Sequence, residues 1–289
     1  MKIVKLLGGL GNQMFQYALA CSIKAHQPDS EILLDLHCFK GYNKHNGYEI
    51  DKIFHPRFKA ASLIDVAKIA YPYYSYNAWR ICSRVLPTRK SMVTENPQKT
   101  VDTSILSLNG SFYYDGYWQS DEYFKDIREC ILKEFTSPPL DERNQDCAND
   151  IMNTNCLSIH VRRGDFLNHP LYKDICTLQY YEEAIKRIYS MVPIDHIVIF
   201  SNDINWCQNH LSALLQNKRT TYIDWNKGQQ SFNDIQLMSL CKYNIIANSS
   251  FSWWGAWLNQ NPNKIVISPH VWDNSKSASS PICKDWVKI

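Results

Sequence analysis

The chain carries no surplus of charge. Lys and Arg number 31 against 28 Asp and Glu, a formal net charge of +3, and so even a balance lacks the basic stripe that nucleic-acid binding requires. No stretch reaches the roughly eighteen consecutive apolar residues of a membrane-spanning helix. The ten cysteines include no C-x-x-C pair of the kind that metal and redox sites use. Several of them, such as Cys21, Cys156 and Cys241, fall inside apolar periodic runs where a thiol acts as a small hydrophobe, so reduced thiols are expected rather than a disulfide framework. A D-x-D metal pair is also missing. The first twenty residues carry Lys2, Lys5 and Ala18-Leu19-Ala20, a superficial secretory signal, but Gly8-Gly9-Leu10-Gly11-Asn12-Gln13 interrupts the apolar region such a signal needs. A soluble, cytoplasmic protein is expected, with peripheral contact at the inner face of a membrane left open.

What is present fits ordinary folded cores. The 289 residues suggest about two compact units, and hydrophobic and charged fractions of 45% and 20% exclude a disordered or fibrous chain. Aromatic residues reach 13%, with 17 Tyr and 9 Trp, rings that either fill cores or stack on sugars and bases.

Residues 2–7 read as a strand, followed by a glycine-rich turn and a helix carrying Met14, Phe15, Ala18 and Leu19. A second strand is expected over 31–34, surface loops over 35–58, one helix over 61–86 ending before Pro87, and an exposed polar segment over 88–104. Tyr113–Trp118 reads as a strand, with Ser120 capping a helix that runs to Phe135. Ser137-Pro138-Pro139 and the polar run through Asn155 read as a linker, giving domains at 1–145 and 146–289. Beyond it, apolar runs at LSIHV, HIVIF, TYID, NIIA and KIVI alternate with helical patterns. This rhythm predicts an α/β fold with a parallel sheet covered on both faces, whose ligands bind outside the carboxyl ends of the strands.

Three segments there carry chemistry. In Leu157–Asp165, period-two alternation puts Leu157, Ile159 and Val161 on one face and Ser158, His160 and Arg162 on the other. Polar groups in a doubly covered strand break the apolar rule at a strand end, and Arg162 with Arg163 could hold phosphate oxygens bidentately. Alternatively the arginines pair with Asp165, and His160 is a core histidine. Ser201-Asn202-Asp203 can be turn formers or contacts to a ribose or purine. Asn248-Ser249-Ser250-Phe251-Ser252 opens a helix, where hydroxyls beside free N–H groups suit a diphosphate, although one serine would suffice as a cap. Trp253 and Trp257 read as core packing, and Asp234, opening the preceding helix, either suits the helix dipole with no catalytic role or makes a nucleotide contact. At the amino end, Gly8–Gln13 lacks the third glycine of G-x-G-x-x-G and the Lys-Ser/Thr of a P-loop. Its glycines still permit close approach of a ligand, and Asn12 and Gln13 offer amides.

The segments GGLGNQMFQYA, YEIDKIF at 48–54, GYWQSDEYF at 116–124, HVRRGD at 160–165, FSND at 200–203 and MSLCKYNIIANSSFSWWGAWLN at 238–259 together resemble the α-1,2-fucosyltransferases of glycosyltransferase family 11. The resemblance implies a GT-B-like architecture, two Rossmann-like domains facing across a cleft, with GDP-fucose held mainly by the second. It implies a metal-independent, inverting transfer of L-fucose to the 2-hydroxyl of a galactose-terminated glycan, with no cofactor. By that likeness Arg162 binds the diphosphate, with Arg163, Ser201, Asn202, Asp203, Ser249, Ser250, Phe251, Ser252 and Asp234 around the donor, and Gly11 and Asn12 face it from the first half. Tyr117, Trp118 and Gln119 are the acceptor candidates, with strand packing and a helix cap as their alternative.

Leaving GDP builds negative charge that a metal or fixed cations and N–H dipoles must meet, and Arg162, Arg163 and the serine-rich helix start can meet it. Asp165 or His160 could take the acceptor's proton. Asp165 is preferred, since a carboxylate beside two arginines stays ionised, although the same pairing makes it a weak base. A path with little base assistance therefore stays open. Two other classes compete: a non-catalytic carbohydrate-binding protein using the Trp and Tyr surplus, and a nucleotide-dependent oxidoreductase, which the missing glycine fingerprint disfavours.

Overall fold

A computed structural model describes residues 1–96, 98–275 and 280–289. The chain divides into two compact units, Met1–Pro138 and Pro139–Ser275, with Ile282–Ile289 returning to the second. The first contains β1 (Lys2–Lys5), α1 (Leu10–His26), β2 (Ile32–Asp35), α2 (Ile50–Ile53), β3 (Lys59–Ala60), α3 (Leu63–Ile69), α4 (Tyr76–Val85), β4 (Met92–Thr94), β5 (Phe112–Asp115) and α5 (Arg128–Glu134). The second contains α6 (Glu142–Met152), β6 (Cys156–Val161), α7 (Leu178–Met191), β7 (His196–Ser201), α8 (Ile204–Leu211), β8 (Arg219–Ile223), α9 (Phe232–Leu240), β9 (Tyr243–Ile245), α10 (Ser250–Leu258), β10 (Ile265–Ser268) and β11 (Val287–Lys288).

Both sheets are wholly parallel, as the strand and helix alternation predicts. The second has the order β8-β7-β6-β9-β10-β11, so the chain winds outward from β6 in one direction and then outward from β9 in the other. This is the doubly wound order, and its crevice lies where the direction reverses, between the carboxyl ends of β6 and β9. The first sheet, β3-β2-β1-β5-β4, reverses between β1 and β5.

Every residue of β6 is buried. Leu157, Ile159 and Val161 point together into a core with Ile197, Ile199, Ile245 and the α7 residues Tyr181, Ala184, Ile185 and Ile188. That face is the apolar one expected from the alternation. Trp253, Trp254 and Trp257 of α10 are buried, with the Trp253 and Trp257 rings stacked 6.0 Å apart, so they are core side chains. The ten cysteines are free thiols.

Several expectations are corrected. The 61–86 helix is two helices, because Pro72 lacks an N–H and biases Tyr71 away from helical geometry. Ser62 and Ser75 cap the two pieces separately. The polar 88–104 segment contains β4, an edge strand too short to show a period. Strand β5 stops at Asp115, and Trp118 adopts a left-handed φ of 56°. Ser120 caps only a 3-10 turn, Asp121–Tyr123, and the helix begins at Arg128. The polar run after Pro139 is not a linker: Asp141 caps α6, which buries Asn144, Cys147, Ala148 and Ile151 in the second unit.

Candidate active site

The second unit's strand-order reversal collects most of the residues singled out by sequence. His160 and Arg162 leave β6 on the same side. His160 is 5% exposed, and burial, reinforced by the Arg162 charge, pushes its pKa down to about 3, so the imidazole is neutral at working pH. Its ring lies 5.9 Å from that of Phe251, and its Nδ1 is buried without a hydrogen-bond partner among the described residues. A neutral imidazole with so low a pKa is a poor proton acceptor.

Arg162 Nη2 lies 2.8 Å from Asp165 Oδ1, and the side chains are 30% and 55% exposed. The other side of the guanidinium is different: Nε is buried and makes no hydrogen bond among the described residues. Unpaired buried donors are rare and call for an explanation, and this one belongs to a residue lining a small, solvent-open cavity together with Arg163, Phe166, Tyr172, Lys173 and Asn248. That cavity sits at the reversal point, between the segments following β6 and β9.

Arg163 is held differently. Its Nε donates to Asp203 Oδ2 at 3.3 Å, its guanidinium lies 4.1 Å from the Trp206 ring centroid, and its backbone N–H donates to Asn202 Oδ1 at 2.9 Å. Gly164 has φ +45°, and a Cβ there would come within 2.5 Å of Asn202 Nδ2. Ser201 Oγ accepts from the Asp203 amide at 2.9 Å, and Asp203 Oδ1 caps α8 by accepting from Trp206 N at 3.1 Å. The FSND segment therefore braces the arginine turn with groups already engaged.

At α10, Ser249 is the cap and accepts from the Phe251 amide at 3.4 Å. Ser252 is fully buried, with its hydroxyl donating to backbone carbonyls of Ala247 and Ser249. Ser250, the first helical residue, is half-buried. Two of the three hydroxyls are thus engaged with backbone groups, and of this segment Asn248, just before the cap, lines the cavity. Asp234 accepts from Asn226 Nδ2 at 2.8 Å; burial pushes its carboxyl up to about 7 against that hydrogen bond. Sequence reasoning missed Lys173 and Tyr172, and it named Asn248 only as part of the serine-rich segment. Asn248 ties two loops, donating to Trp272 O at 3.1 Å and accepting from the Cys176 thiol at 3.4 Å. Tyr172 stacks between Phe166 and His169, with centroids 4.6 and 4.7 Å away.

In the first unit, the turns after β1 and β5 meet. Gln119 Nε2 donates to Asn12 Oδ1 at 2.7 Å, and Gly8, at φ +99°, has no room for a Cβ beside Asn12 Nδ2. Gly11 is buried in the first turn of α1. Gln13 is fully buried, donating to the Gly8 and Gly47 carbonyls and accepting from the Glu49 amide, a structural role. Trp118 is 2% exposed and packs edge-on against Tyr114 and Tyr123, so it is a core ring, whereas Tyr117 is 44% exposed. Glu95, unremarked in the sequence, accepts from the Tyr117 and Trp118 amides. Asp35, His37 and Tyr113 form a second buried set: the Asp35 carboxylate accepts from His37 Nδ1 at 2.7 Å and Tyr113 OH at 2.6 Å. Burial pushes Asp35 up, but these hydrogen bonds hold it below its ordinary value, and His37 is raised in turn. Among the described residues no group of three His, Cys, Asp or Glu is disposed to hold a metal ion, and no helix is long and apolar enough to cross a membrane.

Comparison with known proteins places this geometry. An E. coli α-1,2-colitosyltransferase is 31% identical over 292 residues, covering 99% of this chain and 98% of its own. The E. coli O-antigen biosynthesis glycosyltransferase WbnK is 30% identical, covering 98% and 99%. Among solved structures, the NodZ α-1,6-fucosyltransferase soaked with GDP-fucose superposes with a TM-score of 0.53 over 89% of this chain and 91% of its own, at 14% identity. That likeness establishes the fold, the GT-B-like plan of two parallel α/β units. The model of glycosyl transferase family 11 matches residues 90–289, and the chain belongs to that family.

Proposed function

We propose that this family 11 glycosyltransferase moves L-fucose from GDP-β-L-fucose to the 2-hydroxyl of a terminal galactose in a glycan, with inversion and without a divalent ion. The observation that carries this reading is Arg162: a fixed cation whose buried Nε has no hydrogen-bond partner among the described residues, lining the cavity at the reversal of the second sheet. A diphosphate oxygen is the ligand such a donor fits.

In the proposed reaction the acceptor oxygen forms a bond to the anomeric carbon as the bond to the β-phosphate oxygen breaks, giving an α-linked product. Charge accumulating on GDP is met by Arg162, by Lys173 and by the N–H groups opening α10, which need no reorganisation during the step. Arg163, stacked and paired with Asp203, contributes its field and fixes the turn. Asn202 positions that turn, and Asp234 accepts from the nucleoside when ionised. Asp165 is the proposed proton acceptor: it is the more exposed of the two sequence candidates, whereas His160 is sequestered and neutral. In the first unit, Tyr117 and Gln119 are the proposed acceptor-side groups, and Asn12, which accepts from Gln119, is a proposed donor contact.

A second reading, colitose as the sugar transferred, is supported by the 31% identity to the E. coli α-1,2-colitosyltransferase. Incubation with GDP-fucose and lactose, scored for fucosylated product and released GDP, tests the first reading, and a colitosyl donor in parallel tests the second. Inactivity with GDP-fucose across a broad panel of galactosides overturns the fucosyl assignment.

A further inference from the structure

We propose that the outward face of α4, with the exposed part of α3 and the segment 86–90, docks on the surface of a membrane containing anionic lipids. Half of the exposed large apolar side chains among the described residues fall between positions 63 and 86: Leu63, Ile64, Tyr74, Ile81, Val85 and Leu86. Ile64 and Val85 are each 73% exposed, and Tyr74 and Ile81 each 60%. A surface helix ordinarily turns its apolar stripe inward. Helix α4 buries none of its residues and is anchored instead by Trp79, whose Nε1 donates to Asp115 Oδ2 at 3.1 Å and whose ring lies 3.8 Å from Lys5 Nζ. With Trp79 fixed inward, Arg80, Ile81, Arg84 and Val85 share the exposed side.

Apart from Asp65, the charge of the same stretch has one sign. From Val66 to Thr94 the sequence holds Lys68, Arg80, Arg84, Arg89 and Lys90 and no Asp or Glu. Lys68 is paired with Asp65. Arg89 donates to the Ala67 and Ala70 carbonyls and stacks on Tyr71, which leaves its charge unneutralised. Arg80, Arg84, Arg89 and Lys90 make no ion pair among the described residues. Apolar side chains one turn apart, alternating with arginines, match shallow insertion below lipid headgroups while the guanidiniums stay at the phosphates. The one acid of this stretch, Asp65, is already paired with Lys68, so no unpaired acid between Leu63 and Lys90 opposes anionic lipids. The inference concerns where the enzyme works and does not depend on which sugar it transfers.

The test is flotation of the purified full-length protein with phosphatidylcholine vesicles, with and without about 30% phosphatidylglycerol. The proposal expects binding to the anionic vesicles, little to the neutral ones, and release by added salt. Arg80→Gln with Arg84→Gln should weaken binding about thirtyfold, the loss of two surface cations, and Ile81→Ser with Val85→Ser should weaken it comparably. These positions are exposed, so an unchanged melting temperature confirms the fold. Turnover of GDP-fucose with a soluble galactoside should be unaffected in both variants, which separates failure here from failure of the fucosyl reading. Equal binding of the variants and the parent protein overturns the proposal, as does absence of binding by the parent. A dimer in light scattering that the Ile81→Ser, Val85→Ser variant abolishes also overturns it, assigning the face to a second copy of the chain.

Discussion

Replacing Arg162 with Ala removes the one guanidinium, among the described residues, that both lines the cavity and keeps a buried donor unspent. Its Nη2 is engaged by Asp165 at 2.8 Å, so Nε and the remaining N–H groups are what a diphosphate can use. A hydrogen bond to a charged group is worth about 1.5–3 kcal/mol, and a bidentate contact would approach twice that. The side chain is 30% exposed, and solvent screening brings the sum down to about 2–4 kcal/mol. At 1.4 kcal/mol per decade this is a weakening of GDP affinity between about thirtyfold and several hundredfold. Arg162→Lys keeps the charge but loses the planar fork and should fall between Ala and the parent protein. Little change in melting temperature is expected, because Asp165 is 55% exposed and water replaces its partner. Calorimetric titration with GDP and GMP checks the placement: the advantage of the second phosphate should shrink in Arg162→Ala. A GDP affinity within twofold of the parent, in a folded variant, refutes the assignment.

Three further outcomes follow from the same geometry. Gly164→Ala forces a Cβ to within 2.5 Å of Asn202 Nδ2 at a φ of +45°. It should cost about 1–3 kcal/mol and weaken GDP binding, and a melting temperature and GDP affinity like those of the parent protein would contradict the bracing role of Asn202. Asp234, raised to about 7 by burial, holds its proton in the folded state between its ordinary pKa and neutrality. Its contribution to stability is therefore complete at low pH and is lost as pH rises through 7, up to about 4 kcal/mol as an order of magnitude. Thermal melts from pH 5 to 8 should show this slope in the parent protein and lose it in Asp234→Asn; parallel curves would discount the shift. Transfer should persist in excess EDTA, and activity abolished by chelation and restored by magnesium would show that arginine does not replace a metal.

In the second unit the strand and helix alternation was legible because physics leaves a mark on residue type. An apolar strand that ends His-Val-Arg-Arg-Gly-Asp breaks the rule for a doubly covered sheet, and the break coincides with the cavity. The residue types of Ser201, Asn202 and Asp203 suit ligand contact and bracing equally, so only the hydrogen bonds to Arg163 and the α8 cap distinguish them. Helix α6 escaped notice because its apolar positions, Cys147, Ala148 and Ile151, are few and embedded in Asn and Asp. Lys173 and Tyr172 lie in an irregular segment with no period to mark them. Trp118 illustrates the opposite failure: an indole beside Tyr117 suits sugar stacking, but its left-handed backbone turns it into the core.

The Trp79 latch sets the terms on which α4 can vary. One indole, one carboxylate and the lysine beneath them hold the helix to the end of β5, so its outer residues contribute almost nothing to keeping it folded. Exchanges at Arg80, Ile81, Arg84 or Val85 are then close to neutral for the interior of the first unit, and the character of that face is left to answer to its surroundings alone.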